Sequence, residues 1–377
     1  MKKKLMIVLP SMAGGGAEKV ALLLMRYFDK SQFDISLVLF KKEGEYLSLL
    51  PEHINIFDLG KQSRFDFLKL IRRLRRALAT IEPDVILSFL SYTNTISIIA
   101  AWLESFLPKL IISQRGHPSM KDKSAVKRFI YRHMYCKARR IIAISKGLKN
   151  ILVHDWKILP ERIRVINNPV DIGTINLLQR EKVNHSSFIS NRDFKVVISV
   201  GRLEREKNHF LLLLAFKKVT EELNVHLVLI GQGSLEQELK NKARKYGIEN
   251  RVHFVGFQAN PYAWLRQADL FVLCSDHEGF GNVIIEAMAC GVPVISTDCP
   301  YGPAEIISDS VNGILVKPRD VDSLAEKMKY LLSNPDVSKK LALNALESVK
   351  KYNINIIAKQ YEEELLRVID NENTLSS

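Results

Sequence analysis

The chain has 377 residues, 47% of them hydrophobic and 25% charged, which is globular composition and excludes wholesale disorder, a fibrous repeat or one small binding module. Its four cysteines, Cys136, Cys274, Cys290 and Cys299, lie 138, 16 and 9 residues apart; that spacing fits neither a close-paired zinc site nor a disulfide scaffold, so a reducing, cytoplasmic compartment is expected. The net charge of +14 is unevenly placed: residues 1–175 hold 30 Lys plus Arg against 15 Asp plus Glu, while residues 176–377 hold 25 against 26.

Lys2 to Lys4 precede an apolar run over 5–9, but five residues leading into Pro10 and a glycine cluster read as a first buried strand, not a leader. Gly14, Gly15 and Gly16 then open a helix at about Ala17. Residues without side chains let an anion approach a helix N-terminus; a plain structural turn explains them as well. The dinucleotide fingerprint is incomplete, since Lys19 stands where its third glycine belongs, and no Gly-Lys-Ser/Thr follows. Further strands are predicted over 34–40, 85–89, 110–113, 140–144 and 164–166, with helices from about Phe65, Thr93, Ala125 and Lys146, the alternation of a parallel sheet. Two of these helices are basic and amphipathic. Arg72, Arg73, Arg75 and Arg76 alternate with Ile71, Leu74 and Leu78 in one; Lys127, Arg128 and Arg132 alternate with Phe129, Ile130 and Met134 in the other. Such faces fit an anionic lipid surface, nucleic-acid phosphates or a solvated exterior, with lipid ahead of nucleic acid. Nothing resembles a nucleic-acid-reading motif, and no apolar run reaches the 18 residues of a membrane span.

The stretch 171–193 is polar and aperiodic and reads as a linker. A second alternation follows, with strands over 195–201, 225–230, 252–255, 269–274 and 292–297 and helices from about Asn208, Leu235 and Asn282. Gly201, Arg202 and Lys207 follow its first strand, where two cations can meet a diphosphate or can simply pair with Glu204 and Glu206. Gly231 and Gly233 follow its second strand and would let the chain pass close to a base or ribose. The segment Glu278-Gly279-Phe280-Gly281-Asn282-Val283-Ile284-Ile285-Glu286 is the most specific: two carboxylates able to accept pairs of hydroxyl hydrogens flank a helix start able to offer amides. Asp320 and Asp322 follow Pro318 at a helix start and read as a cap, not a metal motif. The segment 353–369 is helical, with Glu362 to Glu364 on a polar face.

These motifs together, GGGAE (14–18), GRLEREKN (201–208), IGQGS (230–234), EGFGNVIIE (278–286) and GVPVIST with GPAEII and NGILV (291–316), resemble family-four retaining glycosyltransferases of the GT-B fold across nearly the whole chain. The resemblance implies an α/β architecture of two Rossmann-like, doubly wound domains facing across a cleft: an acceptor domain over 1–170, a linker over 171–194, a nucleotide-sugar domain over 195–350, and a C-terminal helix over 351–377 returning to the first. It implies that Glu286 holds the donor ribose, Glu278 the transferred sugar, and Arg202 and Lys207 the diphosphate. Gly15 and Gly16, Gly201, Gly231, Gly233, Gly279, Phe280, Gly281, Asn282 and Val283 complete the donor site. Many relatives carry a histidine after the fourth strand; here Arg115 holds that position and His117 follows two residues later, so the contact to the donor sugar is open between them.

The segments 256–265 and 297–307 resemble bacterial transferases that extend lipid-linked glycans, commonly with UDP-sugars. The expected function is therefore retaining, metal-independent and cofactor-free sugar transfer. The donor is a UDP-hexose or UDP-N-acetylhexosamine, with GDP-mannose the alternative, and the acceptor a lipid-linked or lipopolysaccharide glycan. The protein is expected to be peripheral at the inner face of the cell membrane, on an anionic surface, with no nucleic-acid partner. A nucleotide-sugar hydrolase or epimerase and a non-catalytic basic surface-binding protein are the alternatives.

Overall fold

The computed structural model describes residues 2–63, 65–116, 125–183 and 193–373. The chain divides into two compact units, one of residues 1–169 with 354–377, the other of 170–353. In the first unit the chain runs β1 (Lys3–Leu9), α1 (Gly16–Tyr27), β2 (Phe33–Leu39), β3 (Asn55–Asp58), α2 (Phe67–Ile81), β4 (Val85–Phe89), α3 (Ser91–Leu103), β5 (Leu110–Gln114), α4 (Ala125–Tyr135), β6 (Arg140–Ala143), α5 (Lys146–His154) and β7 (Ile163–Val165). The strands form one parallel sheet, ordered β3-β2-β1-β4-β5-β6-β7. Leu5 to Leu9 are all fully buried, because a central parallel strand is covered by helices on both faces and must be apolar throughout.

The second unit runs α6 (Ile172–Leu178), β8 (Lys195–Val200), α7 (His209–Thr220), β9 (Val225–Ile230), α8 (Glu236–Lys245), β10 (Val252–Phe254), α9 (Pro261–Leu265), β11 (Leu270–Leu273), α10 (Asn282–Ala289), β12 (Val294–Thr297), α11 (Pro303–Ile306), β13 (Ile314–Val316), α12 (Val321–Ser333) and α13 (Pro335–Ser348). Its sheet is also parallel, ordered β10-β9-β8-β11-β12-β13. The last helix, α14 (Ile354–Asn373), belongs to the first unit. Its Ile357, Ala358, Tyr361, Leu365 and Val368 share the core of β1 and α1. Glu362 accepts a hydrogen bond from the Asp29 amide (2.6 Å), and the buried Glu364 pairs with Arg140 at 3.0 Å.

Several elements differ from expectation, among them the helices α9, α11 and α13, which were not anticipated. The start of the predicted linker is helical: Asp171 caps α6 by accepting from the Thr174 amide at 2.9 Å, and one buried residue, Ile175, holds it. The rest of that segment, 184–192, lies outside the described residues. The edge strands β3 and β13 were not anticipated, since four and three residues carry too little alternation to register. Asp320 does cap α12, accepting from the Ser323 amide at 2.9 Å. Among the described residues no helix is long and apolar enough to cross a membrane.

Candidate active site

In each sheet the strand order reverses at one place, between β1 and β4 and between β8 and β11. At such a point two loops diverge from neighbouring carboxyl ends and leave a crevice. In the second unit those loops follow β8 and β11, and they bring the predicted cations and carboxylates together. The Lys207 ammonium lies 2.5 Å from Glu278 Oε1, and Ser275 donates to the same oxygen at 2.7 Å. Both charged side chains are mostly buried, 17% and 11% exposed. Beneath them the loops are stitched by backbone and side chains: the Asp276 amide donates to the Glu206 carbonyl (2.8 Å), Asn208 to Asp276 (3.0 Å), and the Thr297 hydroxyl to the Ser275 carbonyl (2.6 Å). Asn208 also caps α7, accepting from the Leu211 amide. Arg202 differs. Its side chain is 71% exposed and pairs with Glu206 at 2.8 Å, a surface ion pair worth about 0–1 kcal/mol that leaves the guanidinium easily recruited.

The β11 loop ends on Gly281, whose φ of +101° turns the chain into α10, a conformation glycine adopts without steric cost. Gly279 is half-buried, as are Asn282 and Val283 in the first turn; Glu286 is buried a turn inside. Phe280 points into the core, edge-on to Tyr352 at 5.5 Å, so its side chain steadies the loop from behind. Gly231 and Gly233 serve packing. A Cβ on Gly231 would overlap the Gly201 carbonyl oxygen, and one on Gly233 the Leu203 carbonyl oxygen. On the side where a Cβ would stand, both glycines face the β8 loop, which also bonds through Leu203 N–H to Gln232 O (2.9 Å). At Gly201 a Cβ would make ordinary contact with the Lys207 stem.

Two buried thiols flank this loop pair. Burial first, then the Glu278 charge, pushes Cys299 up to about 12, and burial pushes Cys274 higher, so neither offers a thiolate. His209, the first residue of α7, is pushed down from 6.5 to about 4 by burial and then by the Lys207 charge. Its Nδ1 has no hydrogen-bond partner among the described residues. The neutral ring is the folded form, so the stability it carries is complete above pH 6.5 and is lost as pH falls from 6.5 through about 4, on the order of 3 kcal/mol by the lower limit. Urea unfolding across that range should show a steep loss in the wild type and a shallower one in His209→Leu. An unchanged acid slope in the variant would refute this origin.

In the first unit Gly15 is the N-cap of α1 and Gly16 its first residue. The Glu18 carboxylate crowds Gly15 closely enough to overlap any Cβ placed there. Arg115, at the end of β5, is buried. Its guanidinium donates to Ser113 Oγ (3.2 Å), to Asn168 Oδ1 and to the Tyr361 hydroxyl (3.5 Å), and lies 5.4 Å from the Phe89 ring centre. Burial holds it below the ordinary arginine range, opposed by Tyr361 and Glu18. Arg115 thus ties β5 to α14 in this structure. His117 lies outside the described residues. Ser275 and Asp276 lie outside the motifs, and Thr297, the last residue of GVPVIST, was given no role. Their signal was available in kind: polar side chains directly after the apolar runs of β11 and β12, at carboxyl ends next to the strand-order reversal.

Two parallel-sheet α/β units with a charged site at a strand-order reversal define the GT-B class of fold. Solved structures agree: Anabaena HepE in complex with UDP and glucose aligns with a TM-score of 0.83 over 97% of this chain and 100% of its own, at 23% identity. Residues 14–174 match the family profile described as Glycosyltransferase Family 4, and residues 181–348 that of Glycosyl transferases group 1. The Campylobacter jejuni enzyme named N-acetylgalactosamine-N,N'-diacetylbacillosaminyl-diphospho-undecaprenol 4-alpha-N-acetylgalactosaminyltransferase is 30% identical over 89% of this chain and 92% of its own. A second enzyme of that organism, named as an alpha-1,4-N-acetyl-D-galactosaminyltransferase acting on a diNAcBac-PP-undecaprenol glycan, is 29% identical over 95% and 97%. The chain belongs to the family-four glycosyltransferases, and it is a glycosyltransferase.

Proposed function

We propose that this enzyme moves a hexose or N-acetylhexosamine from a UDP-sugar to a lipid-linked or lipopolysaccharide-type glycan, with retention of configuration and without a metal ion, at the cytoplasmic face of the membrane. The observation that carries the reading is the mostly buried Lys207–Glu278 pair at the strand-order reversal, with Glu278 four residues before α10 and Lys207 on the same β8 loop as Arg202. Departure of the nucleotide leaves an oxocarbenium-like sugar and a developing diphosphate charge, and stabilising that charge is the largest catalytic demand. Lys207, Arg202 and the first amides of α10 are the groups to meet it. Glu286 accepts the ribose hydroxyls and Glu278 those of the sugar. The acceptor oxygen bonds to the anomeric carbon on the face the phosphate leaves, and its proton passes to that phosphate. Glu278 is committed to Lys207 and Ser275, which argues against its use as a covalent nucleophile.

The UDP assignment is supported by the nucleotide in the HepE complex, and the lipid-linked acceptor by the names of the Campylobacter relatives. A membrane surface is supported by the first unit. Trp102 and Phe129 are well exposed, and the Lys137 ammonium sits 4.7 Å over the Trp102 ring. Aromatic and cationic groups of this kind favour an anionic interface, each cation by about 1 kcal/mol. Trp102→Ser should reduce sedimentation with phosphatidylglycerol vesicles several-fold, and unchanged binding would remove this face from the account. The transfer reading is tested by supplying UDP-sugars and an undecaprenyl diphosphate-linked glycan with and without chelator. Product mass and the anomeric NMR coupling report elongation and retention; absence of product together with no calorimetric binding of UDP, GDP or ADP would refute it.

A further inference from the structure

The loop between β3 and α2 lies at the carboxyl rim of the first unit's sheet and is fastened from both sides. The Leu59 amide donates to Leu39 O (2.8 Å) and the Lys61 amide to Phe40 O (2.7 Å), while Arg73 Nη1 from α2 reaches Leu59 O (2.5 Å) and Gly60 O (2.8 Å). Asp66 accepts from the Gln62 and Ser63 amides at 2.7 and 2.9 Å. This bracing holds the Lys61 ammonium 5.1 Å from the centre of the Tyr92 ring. The ring is itself set: Phe40 meets it edge-on at 5.9 Å, Phe67 at 6.5 Å, and Leu90, at φ +72°, turns the chain into α3 just before it. A bulky residue at positive φ is a strained position of the kind concentrated at binding sites. Tyr92 is still 38% exposed. Among the described residues no carboxylate pairs with Lys61. Two residues of the same loop and helix start, Phe65 and Leu68, are 79% and 77% exposed.

We infer that Lys61 and Tyr92 form a binding platform for a glycosyl diphosphate carried on a lipid, with a phosphate at Lys61, the sugar against the exposed part of the Tyr92 side chain, and the first lipid units on Phe65 and Leu68. The assignment rests on the transferase reading, because it names the site of that reaction's acceptor. The exposed part of Tyr92 offers a sugar an apolar contact and a hydroxyl, the ammonium preset over its ring matches a phosphate, and the two lie within one head-group length of each other. The fixed loop means little ordering cost on binding.

Binding is measured directly, by titrating the protein with undecaprenyl diphosphate-linked N-acetylglucosamine in detergent micelles and with the same head group carrying a methyl in place of the lipid. Lys61→Ala and Tyr92→Ala should each weaken both probes by about tenfold or more, the scale of one charge-assisted contact, with UDP affinity unchanged. Lys61→Arg and Tyr92→Phe should retain most affinity. Phe65→Ser with Leu68→Ser should weaken the lipid probe alone. Wild-type protein that binds neither probe, or alanine variants that fold normally and bind both as wild type does, would overturn the platform. Binding that follows this pattern with no sugar transferred would count against the transferase reading and leave the platform standing.

Discussion

Replacing Lys207 by alanine is expected to lower kcat/KM for sugar transfer by about 10²- to 10³-fold, the range seen when one preset donor to a developing anion is removed. The magnitude follows from where the ammonium sits. At 17% exposure and 2.5 Å from Glu278 it acts through a medium less screening than water, so each unit of charge on the leaving diphosphate is felt more strongly than at the surface. Arg202, at 71% exposure, should cost much less when truncated, about tenfold or below, because solvent competes for it. Glu278→Gln removes the carboxylate yet keeps a hydrogen-bond acceptor for Ser275. It is expected to lower kcat through the lost sugar contact and also to change UDP affinity, because it releases Lys207 from its ion pair. The double variant should fall short of the product of the singles, with a coupling of roughly 0.5–3 kcal/mol for residues in contact. A Lys207→Ala enzyme that retains wild-type kcat/KM would remove the diphosphate role altogether.

The fold class was legible because parallel strands covered on both faces must be continuous apolar runs, as 5–9, 85–89 and 270–273 are. What was not legible depended on tertiary partners. The strand Asn55–Asp58 has both end residues exposed and shows no core run, and α6 is short enough that capping by Asp171 and one buried isoleucine define it. The same limit applies at the site. Motif position puts Lys207 and Glu278 after separate strands, 71 residues apart, and only the strand order β8-β11 makes their loops neighbours. Arg115 is the opposite case. Its place after β5 made it a candidate for the donor sugar, but the partners that bury it, Asn168 and Tyr361, lie 53 and 246 residues away. A buried guanidinium must spend its donors on the groups around it, and no local pattern reveals which those are.

Gly231 separates two physical meanings of a loop glycine, and its substitution is the second large effect expected. The residue has φ +139°, bonds through its amide to Gly256 O at 2.8 Å, and faces the Gly201 carbonyl where a side chain would go. In Gly231→Ala the backbone strain alone costs about 1–3 kcal/mol. The peptide carrying the carbonyl it would strike is bracketed by Gly201 N–H on Ile230 O and Leu203 N–H on Gln232 O, both at 2.9 Å, so the β8 loop must shift as a whole. A total on the order of 3–5 kcal/mol is a large part of the 5–15 kcal/mol typical of a folded domain, and corresponds to about 10 °C in the melting temperature of a unit this size. Because the shifted loop carries Arg202 and Lys207, UDP affinity should fall in parallel with stability. Calorimetric melting of the variant with and without UDP decides the matter. If alanine leaves the melting temperature unchanged and removes only UDP binding, the glycine is there to admit the ligand, and the backbone-to-backbone packing assigned to it is wrong.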